Sequence, residues 1–209
     1  MALTIHKKTP IREEILNVAA DLFYREGIRA VGIDRIIDEA NIAKATLYRH
    51  FPSKNELVAT YLNERHERVI QSFDEVLRTI ADPRKQIAAI FDMLYKKADS
   101  PDFRGCAFSL AVAEHRDSEQ VVRVAREHKA AIRAIIGAVM ARGGAPSGQS
   151  AAHIALLYEG ALATVAVSSD PRAVLVAKDC ALAVFDFATT RQQDPGDPQA
   201  NPRRVTYSR

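Results

Sequence analysis

The stretch K-A-T-L-Y-R-H-F-P-S-K, Lys44 to Lys54, packs cationic, hydroxyl and aromatic side chains around two large apolar ones. Lysine and arginine neutralise phosphate, and hydroxyls and amines bond phosphate oxygens and base edges. In a helix, Leu47 and Phe51 are four apart and share one face. Lys44, Ala45, Tyr48 and Arg49 then lie on other faces. A short helix that buries two large residues and shows Lys, Tyr and Arg outward suits a DNA major groove. Lys44 stands at the helix start, where residues meet base edges. Thr46 and His50, four apart, face a backbone strand. Lys54 opens the following helix, where its charge and the free N–H groups favour phosphate. Catalytic patterns are missing. The six histidines include no i, i+4 pair and no H-E-x-x-H, so neither a metal nor a cofactor is expected. There is no Gly-rich phosphate loop and no paired acid/base motif.

Two helices joined by a tight turn must position these groups. Ile33, Ile36, Ile37 and Ala40 recur at helical spacing. Asn41 tolerates the left-handed conformation that ends a helix. Ile42 plugs the turn, and a second helix runs from about Ala43 to Phe51, before Pro52. An earlier helix starts near Pro10, carries Ile15, Val18, Ala19, Leu22 and Phe23 on one stripe, and ends at Gly27. After Pro52, Ser53 and Glu56 form a capping box that opens a long helix ending before Asp82-Pro83. Such a helix spans two domains.

The block I-A-K-A-T-L-Y-R-H-F-P-S-K-N-E-L resembles the signature of TetR-family transcriptional regulators, and R-G-C-A-F at Arg104–Phe108 is similar to an R-G-C-P-F motif of one subgroup. The resemblance implies an all-α fold with an N-terminal three-helix helix-turn-helix domain and a larger C-terminal helical bundle. It implies a regulator, most commonly a repressor, that binds an operator in double-stranded DNA as a homodimer and answers to a small-molecule effector. The expected DNA-contacting set is Gly32, Ile33, Lys44, Ala45, Thr46, Tyr48, Arg49, His50 and Lys54. Three positions depart from the family pattern. Gly32 stands where Thr or Ser usually caps, Asn41 where Gly is usual, and Ala43 where Ser often caps the recognition helix. Alanine is a poor N-cap, costing ~1 kcal/mol relative to serine.

The domains divide as residues 1–54 for reading DNA, 55–190 for effector binding and dimerisation, and 191–209 as a flexible tail rich in Pro, Gln, Asp and Arg. Lys7 and Lys8 make the first nine residues a basic arm. Further helices are expected from Pro83 to Ala98, Cys106 to His115, Asp117 or Ser118 to the break at Gly143–Gly148, Gln149 to Ser168, and Pro171 to Thr190. The last two are apolar over more than one face, which calls for a partner. Leu156, Ala163, Val167, Leu175, Leu182 and Phe185 are the candidate two-fold contacts. Phe73, Phe91, Met93, Tyr95, Phe103, Cys106, Phe108, His115 and Tyr158 are the candidate effector-cavity lining. Cys106 has no His/Asp partner pattern, so a structural thiol is expected there.

Composition is that of a globular domain, 47% hydrophobic and 26% charged. The net charge of +3 does not by itself point to nucleic acid, and residues 1–60 hold nine Lys or Arg against eight Asp or Glu. Attraction to DNA must come from where charges sit. Two cysteines suggest a reducing cytosol. The start M-A-L-T-I-H-K-K-T-P has no apolar h-region, and no apolar run approaches the ~18 residues of a membrane span, so a cytoplasmic protein without a membrane partner is expected. The rival readings are an enzyme built on the helical domain and a non-specific DNA-compacting protein.

Overall fold

The punctuation residues sit where the helices start and stop. The computed structural model describes residues 10–145 and 147–193. Helix α1 (Ile11–Glu26) follows Pro10 and ends at Gly27. Helix α2 (Ile33–Ala40) ends on Asn41, at φ 50° and ψ 51°, the left-handed conformation expected of it. Helix α3 (Lys44–His50) follows, then α4 (Lys54–Thr79), where the Ser53 hydroxyl accepts the Glu56 N–H at 3.1 Å. Asp82 caps α5 (Pro83–Ala98) through the Lys85 N–H at 2.8 Å. Helices α6 (Ala107–Glu114), α7 (Glu119–Arg142), α8 (Ser147–Ser168) and α9 (Arg172–Gln193) complete nine helices, with no strand among the described residues. Helix α8 starts two residues before Gln149, and α9 passes Thr190, because Arg191, Gln192 and Gln193 are all good helix formers. The basic arm with Lys7 and Lys8, and the tail from residue 194, lie outside the described residues.

Two apolar cores form. The first gathers Ile15, Leu16, Leu22 and Phe23 of α1 with Ile36 of α2, and with Leu47 and Phe51 of the α3 segment. Three short helices enclose little volume, and this core continues into Leu57 and Tyr61 of α4, Phe108 of α6 and Val121 of α7. The second core joins Phe73 and Val76 of α4 to α5, the C-terminal half of α7, α8 and α9. Helix α4 therefore contributes to both.

The R-G-C segment is a crossing point. Gly105 has φ 88°, and a Cβ there would meet the Ala166 Cβ of α8 at 2.9 Å. Only glycine allows both the dihedral and the approach. The Tyr24 hydroxyl of α1 donates to the Gly105 carbonyl at 3.3 Å and accepts the Arg104 N–H at 2.9 Å.

Residues 148–168 correct one expectation: this helix is long and apolar enough to cross a membrane by length and composition. Gln149, Ser150, His153, Glu159 and Thr164 interrupt any continuous apolar run, yet the average over the helix stays apolar. Its inner face, with Ala161, Leu162 and Val165, is buried in the second core.

Between the two cores, α4 meets α7 through histidines. The Nδ1 atoms of His66 and His128 lie 3.1 Å apart, and the His128 ring stacks on Phe108 with centroids 3.6 Å apart. Burial, and next the Lys129 charge, push His128 down to about 3. In the unfolded chain it titrates near 6.5, so between those values the unfolded state binds more protons. This contribution is complete above pH 6.5 and declines as pH falls towards 3. Denaturation of the native chain should show stability dropping by up to ~1.4 kcal/mol per pH unit from this group below pH 6.5. His128→Gln should flatten that slope in urea titrations at pH 7, 6 and 5; an equal slope would assign it to other groups.

Candidate nucleic-acid interface

The α2–turn–α3 unit is held from inside. Leu47, Phe51 and Ile36 are fully buried, and Ile33, Ile37 and Ile42 pack partly buried on the same core. The turn closes with the N–H of Asn41 on the Asp38 carbonyl and that of Ile42 on the Ile37 carbonyl, both 3.2 Å. The Arg12 guanidinium covers the Phe51 ring at 5.0 Å from its centroid. With that side filled, Lys44, Ala45, Tyr48 and Arg49 are exposed on the outer side of α3, and Thr46 and His50 are half-buried at its edges. Tyr48 leaves 42% of its surface open.

Other members of the expected set are placed differently. Gly32 is the exposed N-cap of α2, with open space where a Cβ would stand, and no side chain caps that end. Ile33 packs partly buried on the core, and its backbone N–H, at the start of α2, is open to an outside contact. Lys44 bonds Asp34 at 3.0 Å, and that bond raises its pKa. The pair is exposed and worth little on its own, so a phosphate can displace the carboxylate. Lys54 is half-buried at the start of α4. Burial lowers its pKa, and the Glu114 carboxylate of α6 opposes that shift. Glu114 also accepts the Arg29 N–H at 2.6 Å, so it ties the reading unit to the helical domain.

The effector-cavity expectation divides. Phe73, Met93 and Tyr158 line a cleft of about 310 Å³ between α4, α5 and α8. Phe108 lines a wider groove of about 1020 Å³ between α6, α7 and α8. Phe91, Tyr95, Phe103, Cys106 and His115 line neither. Phe91 is wholly buried, edge-on to Tyr158 at 5.8 Å. Tyr95 and Phe103 pack partly buried on the second core. Cys106 precedes α6, where its thiol accepts from the Lys129 ammonium at 3.1 Å, and Lys129 also pairs with Glu159. His115 ends α6 with its Nε2 buried. Reading the sequence alone missed Arg65, Arg68 and Lys97 at the 310 Å³ cleft, because E-R-H-E-R reads as a solvated face until α5 is laid against it. No group of three His, Cys, Asp or Glu side chains converges among the described residues.

The candidate two-fold contacts also divide. Leu156 and Val167 are strongly exposed, 68% and 90%, and Ala163 is exposed. Phe185 is buried in the chain's own core, where its ring fills the space a Gly143 side chain would need. Leu175 and Leu182 are half-buried. Exposed positions on α9 include Val176, at 65%, and Cys180. Together with Leu156 and Gly160 they line an apolar groove across α8 and α9.

Residues 15–61 match the family described as bacterial regulatory proteins, tetR family. A TetR-family transcriptional regulator from Streptomyces coelicolor aligns with a TM-score of 0.81 over 86% of this chain and 96% of its own, at 30% identity. This chain belongs to the TetR family. It is a DNA-binding transcriptional regulator with a helix-turn-helix head, and not an enzyme. Among curated relatives, the HTH-type transcriptional activator FasR of Mycolicibacterium smegmatis is 32% identical over 95 residues, 44% of this chain and 43% of that protein. The HTH-type transcriptional repressor KstR2 of Rhodococcus jostii is 31% identical over 93 residues, 44% of this chain and 46% of its own. The chain thus spans under half the length of these two curated relatives.

The recognition helix of this TetR-family chain lacks a capping side chain, since Ala43 is its N-cap at φ −75° and ψ 146°. That backbone already suits a cap, so Ala43→Ser should gain ~1 kcal/mol. Thermal denaturation should show a rise of about 2–4 °C for a chain of this size. No rise would mean that the serine hydroxyl does not reach the N–H groups of the first turn.

Proposed function

We propose that this chain is a ligand-responsive repressor, acting in the cytoplasm, that binds a pseudo-palindromic operator as a homodimer and is released by a small-molecule effector. The observation that carries the reading is the division of α3: Leu47 anchors it with no exposure, while Lys44, Ala45, Tyr48 and Arg49 face outward. Residues 1–54 would read DNA, and residues 55–190 would bind the effector and dimerise. Such a head reads a few base pairs, and specificity needs two heads about one helical turn apart, ~34–36 Å. The apolar groove across α8 and α9 suits a second copy of the chain, and α4 shares both cores and so carries motion between them. Release is a population shift: the effector must bind the dimer with wrongly spaced heads more tightly than the DNA-bound one.

Selection of the operator from random DNA, followed by gel shifts against competitor DNA, tests the reading. A regulator shows a large specificity ratio, and a DNA-compacting protein does not. Tyr48→Ala should weaken the operator complex at least tenfold with little change in melting temperature. Leu47→Ala should instead lose ~2–5 kcal/mol of stability by opening the first core. Equal effects on stability would remove Tyr48 from the reading face.

The dimer has its own check. Leu156→Glu combined with Val176→Glu places unpaired charges in the groove, and sedimentation at micromolar concentration should show monomers that no longer hold the operator. A double variant that stays dimeric would put the two-fold axis elsewhere.

A further inference from the structure

The cleft between α4, α5 and α8 has an apolar floor and a cationic rim. Phe73 is buried on the floor, and Tyr158 stands edge-on to it at 6.0 Å. Met93 lines the wall contributed by α5. Arg65 and Arg68, three apart on α4, share one side of that helix, and Lys97 faces them from α5. Glu64 lies 3.9 Å from Arg68 on the same helix in a loose, solvent-accessible pair, and Glu159, beside Tyr158, is already paired with Lys129. The convergence of cations is felt at Lys97. Although the residue is exposed, its ammonium is pushed down to about 8, first by desolvation and then by the Arg65 charge, with Arg68 adding to the effect and Cys106 opposing it. A neutral guest would leave this repulsion in place; a guest with a negative head would relieve it.

We propose that this cleft binds a small amphipathic anion, its carboxylate or phosphate head held by Arg65, Arg68 and Lys97 and its apolar body lying on Phe73, Met93 and Tyr158. The proposal rests on the ligand-responsive reading and names the chemical class of effector. At the ~30 Å³ that one water occupies in the liquid, about 310 Å³ has room for about ten non-hydrogen atoms. Guanidinium forks match both head groups bidentately. Arg65 also connects the cleft to the reading head: its guanidinium lies 4.3 Å from the centroid of the Tyr24 ring of α1. An anion that draws Arg65 inward competes with that stacking, so occupation of the cleft loosens a contact with the DNA-reading unit.

The test uses the full chain and four probes of eight carbons each: octanoate, octyl phosphate, 1-octanol and octylammonium. Calorimetric titration should show octanoate or octyl phosphate binding at least tenfold more tightly than octanol, with octylammonium not binding. The two anions, compared with each other, identify the preferred head. Arg68→Gln and Lys97→Gln, each checked for an unchanged circular dichroism spectrum, should weaken anion binding about tenfold while leaving octanol unaffected. Octanol binding as tightly as both anions, failure of both anions to bind, or anion affinity unchanged in both variants would each overturn the proposal. Gel shifts with the selected operator separate this outcome from the wider reading. An anion that binds as expected but leaves the operator complex intact upholds the cleft's chemistry and removes ligand release. A neutral probe that binds the cleft and releases the operator does the reverse.

Discussion

The burial of Leu47 and Phe51 is the constraint on which the reading face depends. Helix α3 has seven residues, far too few to hold itself together in water. Its orientation comes from two side chains set into a core built by α1, α2 and the start of α4. Once they are buried, the helical repeat dictates which residues face out. Lys44, Tyr48 and Arg49 are thus outward as a consequence of Leu47 and Phe51 being inward. The Asn41 turn serves the same end, because its left-handed dihedrals set the angle at which α3 leaves α2.

Helix α4 extends this constraint to the rest of the chain. At 1.5 Å per residue its 26 residues make a rod of ~39 Å. Its first turns are buried with the reading head and its last turns with α5 and α7. Between them stand the polar groups of the middle, His66 against His128 and Arg65 against Tyr24. A packed interior does not deform smoothly. A shift of α4 at one end is accommodated where packing gives way to these polar contacts.

The helix-turn-helix unit was largely legible, because its signals are local. The Asn41 stop, the Ser53 cap and the i, i+4 pair Leu47 and Phe51 lie within a few residues of what they specify, and the structure has each in that role. The helical domain was legible in outline only. Helices α8 and α9 are apolar on more than one side, so spacing alone did not separate Phe185, which faces inward over Gly143, from Val176, which faces out. Phe91 and Phe73 sit on neighbouring helices with similar patterning, yet only Phe73 borders the cleft. The cationic rim was hidden for another reason. Charged residues on a long helix read as solvent-facing, and only the approach of α5 turns Arg65, Arg68 and Lys97 towards one another.

Gly105 carries a consequence for how the two ends of the molecule communicate. Its missing side chain lets α8 lie directly against the loop before α6, and its carbonyl receives the Tyr24 hydroxyl from α1. One peptide is thereby clamped between a helix of the apolar groove and a helix of the head. This short bridge braces the head beside the rod of α4, the Glu114 carboxylate on the Arg29 N–H and the core shared with α6 and α7. A side chain at this one position would push α8 and the head's first helix apart together, although it belongs to neither.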